Sequence, residues 1–244
     1  MALILTEDQL ILRDMAKGFC DEKSPVERMR ALRDEKDPTG FSRELWKEMG
    51  ELGWIGIPFP EELGGSDMGY GELGVVLGEC GRVLAPEPFL STVLLAGNAI
   101  LLGGNEPLQK EILPEVCSGD RILALAFQEC GRFAPYAFET TATRNGEGFT
   151  LSGTTRFVLD GGIADQIVVV ARTSGSSGDR DGLSLFVIDR ETAGVTTEAA
   201  QLVDGRNAAL IRFENAAVDA GRLLGEIDRG ADVLDPVFDR ATVG

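Results

Sequence analysis

The 244-residue sequence contains no histidine and is poor in basic residues. Without histidine the chain cannot build a Ser-His-Asp or Cys-His catalytic arrangement, a histidine proton shuttle or a histidine-ligated metal site. Its 23 Lys and Arg stand against 40 Asp and Glu, which gives a net charge of −17. This excess of negative charge argues against a protein that follows nucleic-acid phosphates or binds an anionic membrane surface.

Cysteine is scarce as well, and the four cysteines lie far apart in the sequence, at Cys20, Cys80, Cys117 and Cys130. No pair has the spacing of a CxxC motif or of a zinc site, and the pattern is unlike a dense disulfide framework. We therefore expect reduced thiols, in the core or near the surface, in a reducing compartment.

Long apolar runs are missing too. The longest apolar stretch, residues 89–102, is interrupted by Ser91, Thr92 and Asn98 and is shorter than the roughly 20 residues that a spanning helix needs. The N-terminus has no basic segment followed by an unbroken apolar run, so it is a poor signal peptide. With 43% apolar and 26% charged residues, the composition is that of a folded globular protein, and we expect a cytoplasmic one.

The first half of the sequence predicts helices. Thr6 with Gln9 three residues later is a capping box that starts one helix, and apolar residues at helical spacing predict others over 41–50, 69–82, 89–103 and 106–118. Residues 56–65 interrupt this pattern because they contain two prolines and the pair Gly64-Gly65. No Gly-Lys-Ser/Thr follows that pair, so a turn is favoured over a phosphate-binding loop.

After residue 120 the pattern changes to short strands, predicted over 122–127, 140–144, 149–152, 166–172, 183–188 and 209–213. Asn145-Gly146 predicts a tight hairpin turn. The polar segment 173–182 is expected to be a mobile hairpin loop whose tip, residues 179–181, is solvated. Strands this close, with no crossover helices between them, predict an antiparallel sheet or barrel.

From about residue 221 the pattern is helical again. The sequence therefore predicts an α+β protein: an N-terminal helical domain over 1–120, an antiparallel β-barrel-like middle domain over 121–220, and the beginning of a C-terminal helical domain over 221–244.

Several segments, in this order, resemble the acyl-CoA dehydrogenase family. Residues 45–65 (LWKEMGELGWIGIPFPEELGG) are similar to the family segment that ends in Pro-Glu-Glu-x-Gly-Gly, and 78–82 (GECGR) to its next helix end. The segment at Glu129, 151–153 (LSG) and 160–165 (DGGIAD) resemble the middle domain. Residues 203–206 (VDGR), Phe213, 224–225 (LG) and 238–240 (FDR) resemble the approach to the C-terminal domain.

The resemblance implies a reaction. In the family a carboxylate removes the α-proton of an acyl-CoA thioester while the β-hydrogen leaves as hydride to the flavin of FAD. That base usually lies in a C-terminal helical bundle beyond position 244, so no carboxylate of this sequence inherits its role and the catalytic residue is unknown. The substrate is expected to be a fatty or steroid acyl-CoA, and the protein a homo- or hetero-oligomer with another subunit of the family.

The resemblance places Phe127, Gln128, Glu129, Phe157 and Leu159 at the cofactor. The family's Thr-Glu-Pro followed by Gly-Ser-Asp reads Gln128-Glu129-Cys130 followed by Phe133-Ala134-Pro135 here, and its Trp-Ile-Thr-Asn reads 157–160 (FVLD). Leu159 cannot donate the hydrogen bond that the family's threonine gives the flavin. A side chain at Phe133 obstructs a close backbone approach.

On the substrate side the resemblance places Ala134, Phe238 and Arg240. Simpler alternatives stay open for several candidates. Glu129 is alternatively a strand-end acceptor of local hydrogen bonds, Gln128 a surface amide and Phe157 a core residue. Arg206 and Arg240 are either ligands of a CoA or FAD phosphate or surface salt-bridge partners.

Three functions are therefore open. The first is a flavin-dependent acyl-CoA dehydrogenase, for which FAD binding by this chain alone is doubtful. The second is a flavin-poor partner subunit of a hetero-oligomeric acyl-CoA dehydrogenase, of the kind that acts on steroid side chains. The third is a non-catalytic fragment that acts as a binding module.

Overall fold

The computed structural model describes residues 4–243, and its first half is helical. The helices are α1 (Glu7–Lys23), α2 (Val26–Asp34), α3 (Arg43–Glu51), α4 (Tyr70–Arg82), α5 (Asn98–Leu102), α6 (Glu106–Cys117) and α7 (Ala231–Val243). A 3₁₀ turn (Glu61–Leu63) precedes α4, another (Ala220–Arg222) precedes the last strand, and a π-helix (Phe89–Gly97) runs directly into α5.

Local capping explains where these helices begin. The Thr6 hydroxyl accepts from the Gln9 backbone at 3.2 Å and the Gln9 side chain accepts from the Thr6 backbone at 3.0 Å, which confirms the predicted capping box. At the starts of α3 and α6, the side-chain oxygens of Ser42 and Asn105 accept from the backbone amides of Leu45 and Leu108.

The π-helix differs from the ordinary helix predicted over 89–103. The amide of buried Asn98 donates to the carbonyls of Val93 (3.3 Å) and Leu94 (3.0 Å), which stabilises the wider turn at its end. Inside the turn, the Thr92 hydroxyl donates to the carbonyl of Leu123 at 3.1 Å and accepts from its amide at 3.2 Å. The π-helix is thereby fixed to the first strand of the sheet.

The second half of the described chain forms one sheet. Its strands are β1 (Leu123–Ala126), β2 (Thr141–Asn145), β3 (Gly148–Leu159), β4 (Gln166–Arg172), β5 (Leu183–Asp189), β6 (Val195–Gln201), β7 (Asn207–Asp219) and β8 (Leu223–Leu224). The order is β6-β7-β3-β2-β4-β5-β8, with β1 also paired to β4. The α+β class is confirmed.

Two details differ from the sequence-based picture. The sheet is open, since β6 and β8 end its order, and it is mixed, since β1 pairs with β4 in parallel from Leu123↔Gln166 to Ala126↔Val169. Parallel strands need a long crossover, and we expected only helices to supply one. Here the crossover consists of the 127–140 segment and the β2–β3 hairpin.

The segment 173–182 is a hairpin loop, as predicted, but its contacts do not match a mobile one. The Arg172 guanidinium donates to five backbone carbonyls, those of Phe138 (3.4 Å), Ser174 (3.2 Å), Asp181 (3.0 Å), Tyr136 (2.9 Å) and Asp179 (3.0 Å). The tip, residues 179–181, is exposed as predicted, and its Arg180 also pairs with Asp232 (2.9 Å) and Asp235 (2.8 Å) of α7. These partners are distant in sequence, so composition alone suggested a free loop.

The hydrophobic core is continuous from the helices into the sheet. Trp46 of α3 packs edge-on against Phe89 at a ring-centroid distance of 5.0 Å, and both are buried. Val93 and Leu123 continue this core across the contact between the π-helix and β1. Within residues 4–243, no helix has the length and apolar character needed to cross a bilayer.

Candidate functional site

The candidate site lies where the end of β1 and the loop after it meet α7. Three aromatic rings cluster there: the centroids of Phe127 and Phe238 are 5.0 Å apart, those of Phe133 and Phe238 5.6 Å, and those of Phe127 and Phe133 6.5 Å. Phe133 is 66% exposed, so the cluster borders solvent. Phe127 and Phe238, assigned to cofactor and substrate from the resemblance, are thus brought together.

The polar candidates next to this cluster are bonded to nearby backbone. The Glu129 carboxylate accepts from the amides of Glu139 and Thr140, both at 2.8 Å. The Gln128 amide donates to the carbonyl of Cys130 at 2.8 Å. Both oxygens of Glu129 are therefore used inside the fold, which is the geometry of its simpler alternative.

Replacing Glu129 by glutamine tests this structural role. A glutamine offers one oxygen where two amides donate, so one N–H faces an NH₂ group, and we expect a loss of about 1–2 kcal/mol of unfolding free energy. Urea unfolding measures it. The matched control is Glu139→Gln, an exposed neighbour whose side chain should contribute little; an equal loss in both variants would contradict the role of Glu129.

Phe157 is not a core residue. Its ring is 52% exposed and its backbone is left-handed, with φ of 50°. The β3–β7 register shifts between Thr155 and Val158, and this irregularity breaks the alternation of inward and outward side chains. Leu159, two residues on, is half-buried and pairs with Ala208 of β7. The exposed ring remains available for stacking.

Asp160 is a functional candidate that the sequence reading passed over. It is only 6% exposed, and its carboxylate accepts from the Ser91 hydroxyl at 2.6 Å, which joins β3 to the π-helix. Burial raises the pKa of the Asp160 carboxyl, while the Ser91 hydrogen bond and the charge of Arg206 oppose that rise. Asp160 stood in the segment 160–165 that resembles the family, but its partner, Ser91, could not be read from the sequence.

The raised pKa of Asp160 predicts a pH-dependent stability. In the unfolded chain this aspartate loses its proton near its usual pKa of about 4, whereas in the folded protein it keeps the proton to a higher pH. The free energy of unfolding therefore falls between the two pKa values and is constant above the higher one. Asp160→Asn removes this loss. We expect the melting temperature of the variant minus that of the wild type to be larger at pH 8 than at pH 4. The control is the exposed Asp239→Asn. A pH-independent difference would contradict the raised pKa.

Arg240 joins three helical elements. Its Nη1 donates to the Asn98 side-chain oxygen at 3.0 Å, the Tyr70 hydroxyl donates to the same oxygen at 2.5 Å, and the guanidinium lies 5.7 Å from the Tyr70 ring centroid. No ion pair of Arg240 is found among the described residues, and its role as a phosphate ligand stays a prediction. Ala134, the other substrate candidate, is half-buried and its carbonyl accepts from Ala137 at 3.1 Å.

Two cavities adjoin each other and share Gly81, Ala85 and Arg206. Cavity A has a volume of about 310 Å³ and is bordered by Leu77, Cys80, Gly81, Ala85, Glu87, Phe89, Leu90, Leu94, Arg206 and Ala241. Cavity B has a volume of about 330 Å³ and is bordered by Met29, Arg33, Gly81, Leu84, Ala85, Pro86, Val203, Asp204 and Arg206. Ala241 follows Phe238 by three residues on α7, so one helix face borders both the cluster and cavity A.

The comparisons with known proteins agree with this architecture. The family description "Acyl-CoA dehydrogenase, N-terminal domain" matches residues 6–120, and "Acyl-CoA dehydrogenase, middle domain" matches residues 129–216. An acyl-CoA dehydrogenase of Bacillus subtilis (strain 168) is 31% identical over 230 residues, which are 91% of this chain and 59% of that protein.

Two solved structures are similar over nearly the whole chain. One is the Tcur3481–Tcur3483 steroid ACAD, with a TM-score of 0.87 and 26% identity, covering 100% of this chain and 63% of that one. The other is the ChsE4–ChsE5 complex from Mycobacterium tuberculosis, with a TM-score of 0.82 and 29% identity, covering 96% and 61%. The chain thus spans less than two thirds of the length of these relatives.

Proposed function

Because the chain belongs to the acyl-CoA dehydrogenase family, we propose that it forms the acyl-binding helical and sheet layers of an oxidoreductase. The reaction is the α,β-dehydrogenation of an acyl-CoA thioester to the 2-enoyl-CoA, with FAD as hydride acceptor in the family. The protein is part of a homo- or hetero-oligomer, and the domain division at residues 120 and 220 belongs to the proposal.

The observation that carries the proposal is the junction of the two layers. The aromatic cluster lies where the end of β1 meets α7, and α7 also borders cavity A together with the π-helix. The exposed Phe157 ring follows Arg156, whose amide donates to the carbonyl of Gln128 next to the cluster. Concave, mostly apolar space with a few polar groups is typical of a small-molecule site.

The residues of this chain have three tasks in the proposal. Leu77, Leu90 and Leu94 border cavity A and exclude water from an acyl chain bound there. The Phe127–Phe238 pair presents an apolar surface next to the thioester. The Arg240–Asn98 contact and the Asp160–Ser91 contact position α7 and β3 against the π-helix.

The side chains at the proposed flavin position do not complete an FAD site. Phe157 offers an aromatic face, but Leu159 has no donor, the Gln128 amide donates to Cys130, and Glu129 uses both oxygens on backbone amides. Each missing hydrogen bond costs about 1 kcal/mol of binding free energy. These side chains therefore do not by themselves support a catalytic step that uses the flavin.

The first experiment is expression of the protein from its full-length gene and an assay with acyl-CoA and an artificial electron acceptor. The proposal predicts a yellow protein that reduces the acceptor. A colourless, inactive product with fatty acyl-CoAs of every chain length and with steroid acyl-CoAs would contradict it.

A second candidate is the flavin-poor partner subunit, and the engaged side chains of Gln128 and Glu129 favour it. It predicts co-purification with another member of the family and about one FAD for each pair of subunits. The matched control is the protein purified alone, which should be colourless; full flavin occupancy of that protein would contradict this candidate. If the protein is instead a non-catalytic fragment that acts as a binding module, we expect neither co-purification with another family member nor turnover.

A further inference from the structure

Arg206 is a cation between two largely apolar cavities, and its backbone is held while its side chain is free to bind. It lies in the turn between β6 and β7, where the Arg206 carbonyl accepts from the Leu202 amide at 2.8 Å. The Asp204 carboxylate accepts from the Arg206 backbone amide at 3.0 Å. These bonds fix where the side chain starts.

The guanidinium of Arg206 has no partner in the described part of the chain. None of the hydrogen bonds or ion pairs found there involves it. Two other charged groups at the cavities have charged partners. Arg33 pairs with Asp34 at 2.8 Å, and one oxygen of Glu87 pairs with Arg28 at 2.6 Å while its other oxygen is buried without a hydrogen bond. The chain with a net charge of −17 thus leaves this cation unpaired beside an apolar space.

The two acidic groups linked to Arg206, Asp160 and Asp204, are unsuited to pair with its guanidinium. Asp160 is buried, and its carboxylate already accepts from Ser91 at 2.6 Å. Arg206 only lowers the pKa of Asp160 through its charge, as the weakest of the contributions at that carboxyl. The exposed Asp204, which borders cavity B, already accepts from the Arg206 backbone amide.

A guanidinium presents a planar fork of N–H donors that matches a carboxylate, and such charge-assisted pairs are the strong hydrogen bonds. Leu77, Leu90 and Leu94 border cavity A together with Arg206, and their side chains provide contact for methylene groups. A ligand that satisfies both features has an apolar chain and an anionic end.

We propose that Arg206 selects acyl groups that end in a carboxylate, the chain lying in cavity A and the carboxylate at the guanidinium. The inference rests on the proposed function, because it takes the bound molecule to be an acyl-CoA. It adds a specificity-determining residue from the β6–β7 turn, a part of the sheet distant from the aromatic cluster in sequence.

The experiment measures binding by isothermal titration calorimetry with matched pairs of CoA esters. Hexanoyl-, octanoyl- and decanoyl-CoA are compared with adipoyl-, suberoyl- and sebacoyl-CoA, which have the same lengths and a terminal carboxylate. The variants are Arg206→Gln and the control Arg212→Gln, whose arginine lies nearby on β7 and pairs with Glu198 at 3.3 Å. Melting temperatures verify that both variants fold.

The proposal predicts that the wild type binds at least one carboxylate-ended ester about 10- to 100-fold more tightly than its uncharged match, and that Arg206→Gln removes this preference alone. Arg212→Gln should leave it intact. Two results would overturn the role of Arg206 and leave the proposed function standing. Either the wild type shows no preference for the carboxylate-ended ester at any chain length, or Arg206→Gln weakens the binding of both esters of a pair equally. Failure of every ester to bind would overturn both.

Discussion

Replacing Gly65 by alanine should cost about 3 kcal/mol or more of unfolding free energy. A Cβ at this position would lie 2.0 Å from the Phe59 carbonyl oxygen and 2.7 Å from that of Gly56, and both atoms belong to the backbone. No side-chain rotation relieves such a contact, so the 56–68 segment must move. Chemical denaturation measures the loss as a lower midpoint.

The matched control for Gly65→Ala is Gly74→Ala. Gly74 lies in the middle of α4, and a Cβ there would have no atom within 4 Å. Because alanine is the better helix former, we expect this variant to gain about 1 kcal/mol. A Gly65 variant as stable as the wild type would show that the 56–68 segment is not packed as described.

The second large effect is expected for Arg172→Met. The variant removes the buried donor that five carbonyls share, and only the Tyr136 carbonyl keeps other donors, the amides of Gly178 and Phe138. We expect a loss of about 3 kcal/mol or more, since each orphaned buried acceptor costs about 1–3 kcal/mol when no water replaces the donor. The 173–182 loop should also separate from the Tyr136–Phe138 segment.

Limited trypsin digestion provides the direct readout, because Arg180 lies in that loop and pairs with Asp232 and Asp235 in the wild type. Cleavage after Arg180 should accelerate strongly in Arg172→Met. The control is Arg144→Met, an exposed arginine that stacks on Phe149 with 5.2 Å to the ring centroid. Equal cleavage rates in the two variants would contradict the role of Arg172.

The features predicted correctly from sequence depend on nearby residues. The Thr6–Gln9 capping box spans four residues, and Asn145-Gly146 joins β2 to β3 as a tight turn does. Both are settled by local hydrogen bonding and backbone preference. The apolar strands β4 and β5 were equally visible, because every residue of β4 is buried.

The features that sequence reasoning missed depend on distant partners. The π-helix requires the Asn98 amide and the Thr92–Leu123 contact, and the parallel pairing of β1 requires the whole 127–165 connection. Strand β6 has the sequence VTTEAAQ, whose apolar and polar residues do not alternate cleanly enough to mark a strand.

The site shows the same division. The resemblance placed Phe127 at the cofactor and Phe238 on the substrate side, and the structure brings their ring centroids to 5.0 Å. It did not show that Gln128 and Glu129 bond to neighbouring backbone, or that a register shift leaves Phe157 exposed. Ser91 and Asp160 are 69 residues apart, so their contact appears only in the fold.

Hydrogen–deuterium exchange of the protein with and without octanoyl-CoA tests the central claim most directly, since it reports both binding and its place. We predict slower exchange in the π-helix 89–97, at 127–134 after β1, and in α7, with β2 and the 173–182 loop unchanged. No protection at saturating octanoyl-CoA, or protection confined to segments away from the contact of the helices with the sheet, would contradict the account.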